Sequence, residues 1–139
     1  MQYSKELRKV FSQINACRDA FRHVYHQVFI SRRPADKSIA AFFRENRQYG
    51  SRDRFIINET LFSIMRWWGW VKNFQSAPTE SNSTLLLAAM LLEFKEINPP
   101  IEVLAEGLGI RIPEKLMELT PQKKMQEYCK LLKWIFAPG

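Results

Sequence analysis

One segment limits what this chain can fold into. Gly50–Trp70, GSRDRFIINETLFSIMRWWGW, opens with a glycine and the charged triplet RDR, turns almost wholly apolar, and closes on Arg66 and three tryptophans. Placed on a helix, Ile57, Leu61, Ile64, Trp68 and Val71 share one side at spacings of three and four. Phe55, Phe62 and Met65 widen that side, and Ile56, Trp67 and Trp70 cover much of the rest. A helix apolar on so many sides is expected at the centre of a helical bundle. One polar seam is left, in which Arg52, Glu59 and Arg66 recur every seven residues with Asn58 and Ser63 beside them. Two readings are open at this point. The seam is an ion-pair seam between neighbouring helices, with Arg52 and Arg66 pairing with Glu59 and Arg54 with Asp53, or the arginine-bearing start is aimed at a ligand or partner.

The charge distribution bears on that choice because it is uneven. Residues 1–75 hold 14 Lys+Arg and 6 Asp+Glu, a net +8, whereas residues 76–139 hold 7 and 8, a net −1; together they give the +7 of the 139-residue chain. Ten of the fourteen cations in the first half are arginine, against one of seven in the second. Arginine's planar fork suits bidentate contact with phosphate. A one-sided basic half therefore points to a polyanionic partner, RNA ahead of a membrane surface, while the alternative is a basic surface kept for solubility.

Before that segment, Ser4 to about Ile30 reads as a long amphipathic helix. Leu7, Val10, Phe11, Ile14, Cys17, Phe21, Val24, Val28 and Phe29 face inward, and Arg8, Asn15, Arg18, Arg22 and His26 line the other side. That line is either a solvated face or a stripe that tracks phosphates. Pro34 ends the helix, Asp36 is placed as N-cap of a second helix Lys37–Tyr49, and Gly50 is expected to stop it with a positive φ. Ser51 then caps the central helix, with Asp53 in its first turn. Arg32, Arg33, Arg44, Arg47, Arg52 and Arg54 fall at these two junctions.

Gln75–Thr84 is the one linker candidate, expected to join two sub-bundles of a single domain at about 1–75 and 82–136. Thr84 caps a short buried helix, LLLAAMLLEF. Pro99–Pro100 open another that Gly107 stops, Pro113 opens a third piece, and Thr120–Pro121 open a last helix reaching about Phe136. In that last helix Lys123 and Lys124 are placed on the polar side, while Met125, Tyr128, Leu132 and Ile135 recur at helical spacing. No run alternates with period two, so the expected fold is all-α, about seven helices and no sheet.

Catalytic and metal chemistry finds little footing. GLG at Gly107–Gly109 lacks the spacing of a dinucleotide loop, and no GxSxG, HExxH or EF-hand pattern occurs. Cys17 and Cys129 have no CxxC partner and read as buried free thiols in a reducing cytoplasm. His23 and His26 read as surface residues. The longest apolar run, Leu85–Leu92, falls short of the ~20 residues of a membrane span, so no membrane partner is expected. This is the profile of a binding module, with no catalytic residue and no metal in the chain.

The stretch RPADKSIAAFFRENRQYGSRDRFIINETLFSIMRWWGW resembles the N-terminal helical domain of the RsmB/Nop (Sun-type) RNA cytosine-C5 methyltransferases, a domain itself similar to the antitermination factor NusB. The resemblance rests on RPAD at Arg33–Asp36, the FFR that ends at Arg44, GSRDR at Gly50–Arg54, then Ile57, Glu59 and Arg66–Trp67. Gly50, Asp53, Glu59, Arg66 and Trp67 are its structural positions, and it covers about a quarter of the chain. It implies a NusB-like fold of two small helical bundles that precedes an S-adenosylmethionine-dependent catalytic domain and helps engage ribosomal RNA. The Pro-Cys pair of that catalytic domain has no counterpart, since Cys17 follows Ala16 and Cys129 follows Tyr128. The chain is therefore expected to be an N-terminal fragment, with ribosomal RNA and its own catalytic domain as partners. S-Adenosylmethionine would bind that other domain. Arg18, Arg22, Arg32, Arg33, Arg44, Arg47, Arg52 and Arg54 are the candidate phosphate contacts, while the tryptophans are expected to pack. The alternatives are a free-standing NusB-type factor or a protein-docking adapter.

Overall fold

The computed structural model describes residues 4–72 and 82–127. Within them the chain is all-α, with no strand. Seven helices follow in order: α1 (Lys5–Tyr25), α2 (Ala35–Glu45), α3 (Ser51–Arg66), α4 (Trp68–Val71), α5 (Ser83–Glu93), α6 (Pro99–Leu108) and α7 (Glu114–Met117). A π-helical turn, His26–Ile30, extends α1, and residues 121–127 are helical as well. The remainder of the linker candidate and of the last helix, Cys129 included, lies outside the described residues.

The most enclosed helix is α5. Every residue from Leu85 to Leu92 is at most 2% exposed. Five leucines and a methionine withdrawn from water contribute about 1.5–3 kcal/mol each, which makes α5 the energetic centre of the molecule. The segment that the sequence pointed to, α3, is its main partner. Ile57, Leu61 and Ile64 of α3, and Val71 of α4, are wholly buried, and the Ser63 hydroxyl donates to the Ala89 carbonyl at 2.7 Å. Phe55, placed on the inner side by its spacing, is instead 57% exposed, with its ring edge-on to Phe94.

Helices α1, α2 and α3 form a three-helix layer under α5. Gln13 of α1 donates to the Asp53 carboxylate at the start of α3 (2.8 Å), and Trp68, just past its end, packs on Phe21 and Tyr25. So α3 runs alongside α1 in the same direction, with α2 as the antiparallel return. The last two residues of the α5 region, Glu93 and Phe94, reach Arg66 and Phe55 of α3 respectively. Those two positions are about 16 Å apart along a helix, so α5 lies across α3 rather than along it. A single buried cluster therefore includes residues from α1, α2, α3, α5, α6 and α7.

The caps differ from expectation by small shifts with clear causes. Gly50 is extended (φ −74°) and stands as N-cap of α3, so it does not supply a positive φ, and Ser51 is already helical. Asp36 is the second residue of α2, in its first turn, and the N-cap is Pro34; the Asp36 carboxylate accepts from the Lys37 N–H. Asn82, in the left-handed region, precedes α5 in place of Thr84. Gly109 (φ 70°), not Gly107, ends α6, and the Asn98 side chain caps its prolyl start. Thr120 does cap residues 121–127, accepting from the Lys123 N–H. Lys124 is not on a polar side: it is 2% exposed, and its ammonium donates to the Leu91 and Phe94 carbonyls at 2.8 and 2.9 Å. Burial lowers its affinity for the proton, against the opposing charge of Glu93. A lysine from the end of the described chain thus satisfies the carbonyls left over at the C-terminus of α5.

Candidate nucleic-acid interface

The polar seam of α3 dissolves on folding. Arg66 pairs with Glu93 of α5 rather than Glu59, one guanidinium nitrogen meeting both carboxylate oxygens at 2.8 and 2.9 Å. Asp53 is taken by Gln13, and the Arg54 guanidinium lies over the Phe43 ring, 5.2 Å from its centre. Trp67 is half-buried with its indole N–H enclosed and without a hydrogen-bond partner, so its part is packing. Asp53 and Arg66 thus tie α3 to α1 and α5, and Trp67 packs, whereas Gly50 only precedes the helix as its N-cap and Glu59 makes no ion pair among the described residues.

The candidate arginines divide by location. Arg44 and Arg47, at the end of α2 and in the turn after it, lie in the same junction as Arg52 and Arg54 at the start of α3. Arg32 and Arg33 lie beyond the other end of α2, which spans 11 residues, about 16 Å. The eight therefore do not converge on one point. Arg18 and Arg22 sit on α1. Arg18 is half-buried and tied down, donating to Asn15 at 2.9 Å and to Ser83 at 2.8 Å. Burial, and then the neighbouring Arg22 charge, lower its proton affinity. Arg22 has an exposed contact with Asp19 at 3.6 Å. The other six are exposed and make no ion pair among the described residues.

Sequence reasoning passed over the aromatic side chains next to Arg22. Tyr25 and Phe29 are 37% and 36% exposed, and their rings meet each other and Trp68 at centroid distances of 4.9–5.8 Å. Phe29, inward by its spacing, is exposed over 36% of its surface and lies at the edge of the inner face beside Trp68. The signal was present in the spacing Arg18, Arg22, Tyr25, Phe29, which marks one stripe of a helix. The chain reverses directly after it, with Arg32 in the left-handed region (φ 56°) and the Arg33 N–H donating to the Gln27 carbonyl at 2.9 Å. His23, half-buried, faces Phe42 and stands 4.0 Å from the Glu45 carboxylate, on the side of α1 that packs on α2.

Among the described residues no group of three His, Cys, Asp or Glu side chains could hold a metal ion, and no helix is long and apolar enough to cross a membrane. No family model, no curated protein and no solved structure matches this chain.

Proposed function

We propose that this chain is an RNA-binding helical module, and that it serves as the NusB-like N-terminal domain of an S-adenosylmethionine-dependent ribosomal RNA cytosine-C5 methyltransferase. The observation that carries RNA binding is the set of six exposed arginines without ion pairs among the described residues, Arg32, Arg33, Arg44, Arg47, Arg52 and Arg54. Guanidinium groups left uncompensated at two junctions favour a polyanion long enough to reach both ends of α2. The methyltransferase context is supported by the RPAD, GSRDR and Arg66–Trp67 pattern alone. The described residues contain no strand followed by a glycine-rich turn to receive S-adenosylmethionine, so no step of methyl transfer is assigned to them.

The test is the salt dependence of binding to ribosomal RNA fragments. Arg32→Ala with Arg33→Ala, and separately Arg47→Ala with Arg52→Ala, should each weaken binding. Each should also flatten the slope of log K against log salt by about 0.7 per arginine removed. Helical content should be unchanged, since all four side chains are exposed. An unaltered slope in both double variants would remove the arginines from the interface.

A further inference from the structure

The exposed rings at the end of α1 do not belong to the core, and the phosphate contacts proposed above do not use them. Tyr25 and Phe29 meet at 4.9 Å, Trp68 stands 4.9 Å from Phe29 and 5.8 Å from Tyr25, and Phe21, buried beneath, is 5.7 Å from Tyr25. The buried Phe21 fixes the cluster while Tyr25 and Phe29 keep more than a third of their surface in water, Trp68 is half-buried, and Ile30 beside them is 61% exposed. Cations flank the rings along the chain on both sides. Arg22 lies one helical turn before Tyr25, and Arg32 and Arg33 follow within four residues of Phe29. The Ser31 N–H donates to the His26 carbonyl at 3.0 Å, and the Arg33 N–H to that of Gln27, so the backbone of this turn is pinned next to the rings.

Resting on the RNA-binding reading, we infer that this end of the molecule is a stacking platform for unpaired bases of single-stranded RNA. Its rings take the bases, and Arg22, Arg32 and Arg33 take the adjoining phosphates. A ring cluster edged by arginines is complementary to a polymer that alternates flat apolar faces with negative charge. A duplex cannot use it, because its bases are already stacked on one another and its outside offers phosphates, ribose and base edges but no base faces. An apolar protein surface fits less well, since it would have to cover three guanidinium groups of which Arg32 and Arg33 have no carboxylate partner among the described residues. The platform thus supplies what the arginines elsewhere cannot, a preference for looped or unwound RNA over helical RNA.

The experiment compares a short single-stranded oligoribonucleotide with its duplex, using the full chain, Tyr25→Ser, Phe29→Ser and Arg32→Ala with Arg33→Ala. The unaltered chain should bind the single strand at least tenfold more tightly. Either serine variant should lose about tenfold on the single strand, little on the duplex, and none of the salt slope. Tyr25→Phe and Phe29→Tyr should retain binding, because a ring face is kept. A 2-aminopurine in the single strand reads stacking on the unaltered chain, so the test does not depend on the variants folding; its emission should be quenched. If no RNA binds, the RNA-binding reading itself fails. If RNA binds with a steep salt slope but the serine variants match the unaltered chain, or 2-aminopurine is not quenched, the platform fails while RNA binding stands. If the serine variants instead lose a protein partner at unchanged RNA affinity, the rings are a protein-docking patch and the inference is overturned.

Discussion

Helices α5 and α1 show two ways of using apolar side chains. In α5, nine consecutive residues from Thr84 to Leu92 are buried, and the helix has no face toward water. In α1, six of 21 residues are buried, and the rest present a long outer surface that ends in an aromatic cluster. The enclosed helix is tethered by polar groups from elsewhere, Ser63, Arg66 and Lys124, each reaching its backbone or its last carboxylate. The half-exposed helix is tethered mainly by its apolar inner face and spends its outer face on arginines and rings. Every side chain of α5 should therefore report on stability. The outer stripe of α1 should report on binding, with a smaller effect on stability.

The largest break in that contrast is a cavity in α5. Leu91 is 1% exposed at the heart of the cluster, so Leu91→Ala loses both its transfer energy and the contacts around the void. We expect a loss of about 3 kcal/mol in urea unfolding, within the usual 2–5 kcal/mol range for such truncations. Tyr25→Ser should cost about 1 kcal/mol in the same assay, since its ring is 37% exposed and loses its contacts with Phe21 and Trp68. Equal losses at the two sites would mean that the ring cluster is part of the core after all.

A second effect belongs to the inner face of α1. Cys17 is wholly buried facing Thr60, whose enclosed hydroxyl makes no ordinary hydrogen bond. Burial pushes the thiol up from 9.0 to about 12, with Thr60 and Arg18 pulling weakly the other way and Asp53 adding to the rise. The folded state keeps its proton where the unfolded state releases it. The thiol's contribution is thus intact below pH 9.0 and is lost as pH rises toward about 12. At one and a half units above the unfolded value the loss is about 2 kcal/mol. Cys17→Ala should flatten the decline in stability between pH 9 and 10.5 relative to the unaltered chain. A parallel decline in both proteins would show that the thiol has access to water.

How far the sequence was legible follows the range of the interaction that decides each feature. Periodicity is local, so the buried positions Ile57, Leu61 and Ile64 and the apolar run of α5 could be read directly. Helix α3 touches α1, α2, α4 and α5, as its many apolar sides imply, while LLLAAMLL, which has no polar face at all, is the more enclosed of the two. Ion-pair partners are tertiary: Arg66 finds Glu93, 27 positions away, where helical spacing offered Glu59. Lys124 looked polar because its type usually is, and only the unsatisfied end of α5 explains a buried ammonium. The ring cluster was hidden for a similar reason. Phe29 falls on the stripe of Arg18, Arg22 and Tyr25, at the edge of the inner face, and only the tertiary contact with Trp68 shows that the rings gather there.

The smallest predicted effect tests whether a polar tether matters between two faces that are otherwise oil against oil. The Ser63 hydroxyl is buried and donates to the Ala89 carbonyl at 2.7 Å, a short bond that fixes how α5 crosses α3. The Ala89 carbonyl also lies inside α5, where the helical ladder supplies a second donor, so Ser63→Ala leaves no buried group wholly orphaned. The expected loss is about 1 kcal/mol, read as a lower urea midpoint at unchanged slope. RNA affinity at temperatures where both proteins are folded should not move, because Ser63 faces α5 and not the arginine junctions. No loss at all would mean that leucine packing alone sets the crossing. A loss accompanied by weaker RNA binding would mean that the α3–α5 crossing positions Arg52 and Arg54, which would join the two regions that the comparison separates.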